Sequence, residues 1–164
     1  MLVHRLSRAI GLSAVLTLAA ATPVLADATA FLGATTTPDN RAVKGIAVEA
    51  GLLFLGLEFE YASTSDDPTA GAPALKTGSA NLLLQTPLDV FGFQAYATAG
   101  VGIYRETLDP AYRHTGVAPN LGAGVKLSLA GPLRLRVDYR VFKLGSGARY
   151  SPTHRVYAGL NLRF

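Results

Sequence analysis

The feature that most constrains the fold is a strict alternation of apolar and charged side chains along residues 133–141. The alternating positions form two sets: Leu133, Leu135, Val137, Tyr139 and Val141 are apolar, and Arg134, Arg136, Asp138 and Arg140 are charged. Successive side chains of a β-strand point to opposite faces, whereas a helix would scatter these charges around its circumference. The pattern therefore predicts a strand with one apolar and one charged face.

The same period of two recurs in seven other parts of the chain. These segments are residues 29–34, 46–51, 55–61, 80–85, 93–104, 121–129 and 155–164. In five of the eight segments one face is apolar along its full length, and most of these approach the roughly 9–11 residues that a tilted strand needs to cross a bilayer. The sequence thus predicts an all-β protein of eight strands.

The predicted connections are alternately short and long. The short ones lie at residues 52–53, 86–92 and 130–132, and the longer ones at 35–43, 63–76, 106–117 and 144–153. The longer connections hold most of the Asp, Pro, Ser and Thr residues. Short periplasmic turns that alternate with longer outer loops are typical of transmembrane β-barrels. With an even number of strands, both chain ends are expected on the periplasmic side.

The N-terminal residues have the organisation of a secretory signal peptide. Arg5 and Arg8 precede an apolar stretch over residues 10–21, which is too short to span a bilayer comfortably. Val24 and Ala26 are the small residues expected three positions and one position before a cleavage site. We therefore expect cleavage after Ala26. Cleavage after Ala28 is the second choice, and an uncleaved membrane anchor is the alternative.

Cleavage after Ala26 divides the chain into a signal peptide, residues 1–26, and a single domain, residues 27–164. The domain carries 13 Lys and Arg residues against 11 Asp and Glu residues, so its positive charge is too small to indicate nucleic-acid binding. The chain has no cysteine, which excludes disulfides, thiolate chemistry and cysteine-based metal sites. We expect no cofactor.

A soluble antiparallel barrel, such as a lipocalin-like periplasmic binding protein, also has alternating strands. The membrane interpretation is favoured because the second face of these strands is often charged or reduced to glycine, which suits a narrow lumen. Export and the absence of unpaired backbone edges in a closed barrel favour it as well.

Two segments resemble the opacity porin-like family of outer-membrane β-barrel proteins. Residues 120–127 followed by 133–140 resemble the penultimate hairpin of that family, and residues 157–164 resemble its C-terminal signal. The residues that carry this signal are Tyr157, Leu160, Leu162 and Phe164. The resemblance implies an eight-stranded antiparallel up-and-down transmembrane β-barrel. It also implies two partners, the outer-membrane lipid and the barrel assembly machinery.

The charged faces of the predicted strands would meet inside the barrel. The candidate lumen network consists of Glu49, Glu58, Glu60, Lys126, Arg134, Arg136, Asp138, Arg140, Arg155 and Arg163. Unpaired buried charges are very costly, so we expect these side chains to pair. A plug of salt bridges is favoured over a narrow gated ion path, because eight strands enclose a space just wide enough for side chains to fill.

The sequence offers little for catalysis or metal binding. His114 and His154 lie at loop or strand-end positions, and Ser151 is near His154 without an acid close by in the sequence. These residues do not form a nucleophile–base–acid pattern, and two histidines give no credible metal site. We expect no catalytic residue and no metal. The acidic pair Asp66 and Asp67, together with Asp109, is expected to be solvated rather than to bind a cation.

The outer loops remain as a place for binding a surface ligand, through residues such as Tyr112 and Tyr150. The favoured function is that of a non-enzymatic outer-membrane barrel in envelope integrity or surface interaction. Two alternatives remain open: a small porin-like channel, and an outer-membrane enzyme that modifies lipid A.

Overall fold

The computed structural model describes residues 25–52, 54–86, 91–108 and 112–164, and these residues form eight β-strands. The strands are β1 (Leu25–Thr35), β2 (Arg41–Leu52), β3 (Leu55–Thr64), β4 (Ala74–Gln85), β5 (Phe93–Leu108), β6 (Tyr112–Ala130), β7 (Leu133–Phe142) and β8 (Thr153–Arg163). Within these ranges, no helix is long and apolar enough to span a membrane.

The eight strands form one closed barrel in which each strand pairs with its neighbours in the sequence. All pairings are antiparallel, and β1 closes the barrel by pairing with β8, for example Ala30 opposite Leu160. Closure leaves no strand with an unpaired edge, which is the condition for burying a sheet in hydrocarbon. The predicted fold class, an eight-stranded antiparallel up-and-down barrel, is confirmed.

Most charged side chains of the strands lie inside the barrel, and most apolar ones lie on its outer surface. On β7, Arg136, Asp138 and Arg140 are buried in the lumen, whereas Val137 and Tyr139 are exposed on the outer surface. The same alternation gives the outer surface a continuous cover of Leu, Val, Ile, Phe and Tyr side chains. A surface of this extent and composition is suited to lipid rather than to water.

The connections sort to the two ends of the barrel as the sequence predicts. The turns β2–β3, β4–β5 and β6–β7 lie at the end that also holds Leu25 and Arg163, which we call the periplasmic end. The other four connections lie at the opposite end, which we call the outer end. An even strand number produces this arrangement, because each strand reverses the direction of the chain.

The predicted strands were too short at the outer end. Residues 106–117 were expected to form a loop, but β5 continues to Leu108 and β6 begins at Tyr112, with Glu106 opposite His114. Likewise, β4 begins at Ala74 rather than at residue 80. The expectation rested on polar composition. A hairpin that projects beyond the apolar belt has no need of an apolar face, so the backbone ladder continues through polar residues.

The signal-peptide prediction falls mostly outside the described residues, since these begin at Leu25. Val24 is among the residues that are not described. Ala26 lies in β1, where its backbone N–H donates to the carbonyl of Phe164. Cleavage after Ala26 would thus leave the mature chain starting inside the first strand, and it stays a prediction.

Candidate functional site

Ten charged side chains fill the lumen from the periplasmic end to beyond its middle, and they are five acids and five bases. The acids are Asp27, Glu49, Glu58, Glu60 and Asp138, and the bases are Lys126, Arg134, Arg136, Arg140 and Arg155; all are buried. Their formal charges cancel. A buried set of ions is tolerable only when it is paired in this way.

The group nearer the periplasmic end has two acids and two bases. Lys126 Nζ lies 2.7 Å from both Asp27 Oδ2 and Glu49 Oε2. Arg134 donates to the same oxygen of Asp27, and its Nε donates to Asn161 Oδ1 at 2.8 Å. The four charges therefore neutralise one another locally, and we call them the lower group.

The upper group contains three acids and three bases. Arg136 Nη1 lies 2.5 Å from Glu58 Oε2, and Arg140 lies within 3.1 Å of Glu58, Glu60 and Asp138. Arg155 Nη1 lies 2.8 Å from Glu60 Oε1. No side chain of this group has solvent exposure. Arg140 is its centre, because it contacts all three acids.

Two tyrosines extend the upper group by hydrogen bonds. The Tyr96 hydroxyl donates to Asp138 Oδ2 at 2.5 Å and accepts from Arg136 Nε at 2.7 Å. The Tyr157 hydroxyl donates to Glu60 Oε2 at 3.1 Å. The centre of the Tyr96 ring also lies 5.7 Å from Lys126 Nζ and 4.8 Å from the Arg136 guanidinium, so this side chain contacts both the lower and the upper group. Hydrogen bonds of this kind satisfy the lone pairs that ion pairing alone leaves unmatched.

An apolar layer closes the lumen between the upper group and the outer loops. It is built from Leu75, Tyr104, Ala118, Phe142 and Leu144. The Arg155 guanidinium lies 4.5 Å from the centre of the Phe142 ring, where the charged and apolar layers meet. Together the three layers fill the described lumen with packed side chains, as expected for eight strands.

Nine of the ten predicted network residues lie in this network. The tenth, Arg163, is half-buried at the end of β8, where it lies opposite the network member Asp27 in the β1–β8 register. Asp27 was missed as a network member, because the sequence analysis began β1 at residue 29. Its position two residues before Thr29 and four before Phe31, both buried, was the signal that would have placed it inside. Tyr96 was missed because the network was predicted from charged residues alone.

The residues considered for catalysis are engaged with other partners. The Ser151 hydroxyl donates to the Leu144 carbonyl at 3.1 Å, and His154 Nδ1 lies 2.7 Å from the Tyr139 hydroxyl. His114 packs beside the Tyr104 ring, 5.8 Å away. Over the ranges that the structure describes, no group of three side chains is arranged to hold a metal ion.

The outer loops are braced by polar contacts of their own. Asp67 Oδ1 accepts hydrogen bonds from the Thr69 hydroxyl at 2.6 Å and from the Thr69 and Ala70 backbone. The bond from the Thr69 hydroxyl is the main reason that the pKa of Asp67 is lowered. The Tyr150 hydroxyl donates to the Ala70 carbonyl, which links the β7–β8 loop to the β3–β4 loop. Asp66 lies in the same β3–β4 loop, and Asp109 falls outside the described residues.

A second contact braces the β5–β6 hairpin. The Tyr112 hydroxyl lies 2.8 Å from Glu106 Oε2, which also accepts a hydrogen bond from the Arg149 backbone. Arg149 in turn donates to the Gly71 carbonyl, so the β7–β8 loop is joined both to the β5–β6 hairpin and to the β3–β4 loop.

The residues of the proposed C-terminal signal divide between the two faces of β8. Leu160, Leu162 and Phe164 are exposed on the outer surface, whereas Tyr157 is buried in the lumen. The Phe164 backbone exchanges two hydrogen bonds with Ala26, at 3.0 and 2.9 Å, where the first and last strands meet. The outward residues are thus accessible, and Tyr157 belongs to the interior.

Comparison with solved structures finds small outer-membrane barrels. The N-terminal β-barrel domain of Pseudomonas aeruginosa OprF matches with a TM-score of 0.69 and 14% identity, over 85% of this chain and 97% of that one. Neisserial surface protein A matches with a TM-score of 0.63 and 15% identity, over 86% and 96%. The outer membrane enzyme PagL matches with a TM-score of 0.54 and 12% identity, over 82% and 97%.

No model of a known protein family matches the sequence, and comparison with curated proteins gives no match either. The structural likeness is therefore one of fold, and at this level the resemblance inferred from the sequence is confirmed. The chain has the fold of the small eight-stranded outer-membrane barrels.

Proposed function

We propose that the protein is a non-enzymatic barrel of the outer membrane that acts in envelope integrity or in contacts at the cell surface. The observation that carries the proposal is the packed lumen, in which five acids and five bases pair beneath an apolar layer. An interior of this kind favours a structural role over conduction of ions or solutes through the lumen. The outer surface, with its continuous apolar cover, supports a lipid environment.

The outer end supports a role at the cell surface. The β3–β4 and β7–β8 loops and the β5–β6 hairpin are joined by Tyr150, Tyr112 and Arg149. Loops that are held against one another present a defined surface to a ligand, because less conformational entropy is lost on binding. We therefore propose these loops as the place where a surface ligand binds.

Absence of enzymatic activity is part of the proposal. The Ser151 hydroxyl donates to the Leu144 carbonyl rather than to His154, and His154 Nδ1 is held by the Tyr139 hydroxyl rather than by a carboxylate, so the two side chains do not form a nucleophile–base–acid arrangement. PagL is an enzyme with a related fold, but fold alone does not carry activity.

Three measurements on the intact protein test the proposal. Membrane fractionation should recover the protein with the outer membrane. In planar bilayers the refolded protein should show no steady conductance, whereas discrete channel steps would establish the porin-like alternative. Mass spectrometry of lipid A from cells with and without the protein should show no difference. A change in acyl chains or in headgroup would establish the enzyme alternative.

A further inference from the structure

The outer surface carries cations in one region and no acid beside them. Every acidic residue that the structure describes on a strand is buried and points into the lumen; these are Asp27, Glu49, Glu58, Glu60, Glu106 and Asp138. Lys44, Lys76 and Arg105, by contrast, are exposed on the outer face of β2, β4 and β5. This part of the barrel surface is therefore positively charged, whereas the ten charges of the lumen network cancel.

These cations lie side by side in one cross-strand row near the outer end. In register, Lys44 is opposite Ser63, Ser63 is opposite Lys76, Lys76 is opposite Arg105, and Arg105 is opposite Thr115. Residues opposite one another on a sheet have Cβ atoms roughly 4.5–5.5 Å apart. The row, which we call the cationic row, thus places three cations and two hydroxyls on five adjoining strands.

The direct opposition of Lys76 and Arg105 is unfavourable without an anion. Like charges directly across a sheet destabilise it. Within the described ranges, neither side chain forms a salt bridge with an acid. An anion held between the two would remove the repulsion and accept hydrogen bonds from both.

An apolar groove begins directly below the cationic row. The next row toward the periplasmic end consists of Ile46, Tyr61, Gly78, Ile103 and Val117, again in register. Gly78 and Ala80 form the floor of a groove of about 670 Å³, with Phe59 and Tyr61 on one side and Val101 and Ile103 on the other. A Cβ atom built on Gly78 would have no neighbour within 4 Å, so the glycine leaves this part of the groove open.

The groove and the cations are continuous. A smaller depression of about 340 Å³ is lined by Tyr61, Gly78 and Ile103, which it shares with the groove, and by Lys76, Arg105 and Thr115. The outer surface therefore has an apolar groove over Gly78 and Ala80, where side chains are absent or small. At the upper end of this groove lie two cations, Lys76 and Arg105, and the Thr115 hydroxyl. An amphiphile with an acyl chain and a phosphate matches both parts at once.

We propose that this surface binds a phosphate-bearing acylated lipid of the outer leaflet, with an acyl chain over Gly78 and a phosphate between Lys76 and Arg105. The proposal rests on the outer-membrane location given under Proposed function and goes beyond it by assigning a lipid site. Phosphate is the fitting headgroup, because it can accept hydrogen bonds from the ammonium, the guanidinium and the Thr115 hydroxyl together.

The test uses the full-length mature barrel, refolded in a neutral detergent, and measures lipid binding by native mass spectrometry. Three probes are titrated: lipid A with both phosphates, the same lipid with the phosphates removed, and inorganic phosphate. We expect the phosphorylated lipid to bind about tenfold or more tightly than the dephosphorylated one, since both cations would contact its phosphate. Inorganic phosphate should not compete at equal concentration.

Two pairs of variants locate the site. K76Q/R105Q should weaken binding of the phosphorylated lipid about tenfold or more, whereas K143Q, an exposed cation that follows β7 and lies outside the row, should not. G78L should fill the groove and weaken both lipids, whereas A123L, at an exposed outer position on β6, should leave binding unchanged.

Several results would overturn the proposal. Equal affinity for the two lipids would exclude the phosphate contact, and equal loss in K76Q/R105Q and K143Q would show a diffuse charge effect. Competition by inorganic phosphate would indicate a site for free anions. If a variant does not fold, the affinities of the wild-type protein for the two lipids still test the phosphate contact. The outer-membrane location is tested separately by membrane fractionation, and absence of the protein from the outer-membrane fraction would overturn it.

Discussion

Arg136 Nη1 lies 2.5 Å from Glu58 Oε2, and neither side chain has any solvent exposure although they belong to opposite walls of the barrel. Arg136 also contacts Asp138, and Glu58 also contacts Arg140 and Asn81. The ion pair is thus one link of a network in which each charge has more than one partner.

Because the two charges are paired in the network, we predict that the losses from substituting both are not additive. Glu58→Ala or Arg136→Ala alone should each lower the free energy of unfolding by about 3–5 kcal/mol, because an uncompensated charge remains buried. The double variant should lose less than the sum of the two. Urea unfolding in detergent or lipid vesicles measures this free energy. Because the protein has no tryptophan, unfolding is followed by far-ultraviolet circular dichroism. K143Q, which changes an exposed cation, is the control; additive losses would mean that the pair is not coupled.

Substitution of Gly124 tests how tightly the lumen is packed around Tyr96. A Cβ atom at this position would lie 2.3 Å from the Tyr96 hydroxyl and 2.4 Å from the Val137 carbonyl oxygen. Gly124→Ala should therefore lower the free energy of unfolding by about 1–3 kcal/mol, the usual range for overpacking. Gly78→Ala, which meets no atom within 4 Å, is the matched control and should be close to neutral. Equal effects of the two substitutions in urea unfolding would argue against close packing around Tyr96.

Phe164 predicts a difference between assembly in cells and refolding in vitro. Its side chain is exposed, so its deletion removes little packing, although two backbone hydrogen bonds with Ala26 are lost. We expect refolding into detergent to remain nearly normal and assembled protein in cells to fall strongly, because the resemblance of residues 157–164 to the family's C-terminal signal implies that the assembly machinery reads the terminal aromatic residue. Immunoblots of outer membranes, compared with refolding yields, measure both effects. Equal assembly of the wild type and the deletion would count against the signal.

The predicted cleavage site gives a prediction about the mature chain. Protein isolated from the membrane fraction should begin at Asp27, because Val24 and Ala26 precede the bond. N-terminal sequencing or intact mass measurement checks this directly. A chain that retains Met1 would contradict the prediction. The Asp27 carboxylate contacts Lys126 and Arg134, so cleavage after Ala28 instead would remove an acid from the lower group.

We predict that the stability of the β3–β4 loop depends on pH through the Asp67 carboxylate. The hydrogen bond from the Thr69 hydroxyl is the first cause of its lowered pKa. Because the pKa of Asp67 is lowered in the folded loop, the ionised carboxylate stabilises the loop at pH values above the ordinary pKa of an Asp side chain. This contribution is lost as the pH falls through the lowered pKa. NMR titration of the Asp67 carboxyl should show a midpoint that rises in Thr69→Ala. An unchanged midpoint would show that this bond is absent in solution.

Much of the fold could be predicted because its main determinant is local. The alternation in residues 133–141 assigns each side chain of β7 to a face, without knowledge of the neighbouring strands. The same reasoning gave eight strands, and the barrel with that number is confirmed. The limits of strands were less predictable. At the outer end, β5 and β6 continue beyond the apolar belt, where pairing depends on backbone hydrogen bonds and leaves no periodic signal in the side chains.

The sequence by itself determined which residues point inward, since a strand's period of two needs no partner to be read. Only the tertiary structure decided which charges meet, because contact across the lumen depends on the register of all eight strands and on the closure of β1 against β8. That register brings Asp27 to Lys126, Arg136 to Glu58 and, on the outer surface, Lys76 beside Arg105. A shift of register by two residues would keep every side chain on its face and change every one of these pairs.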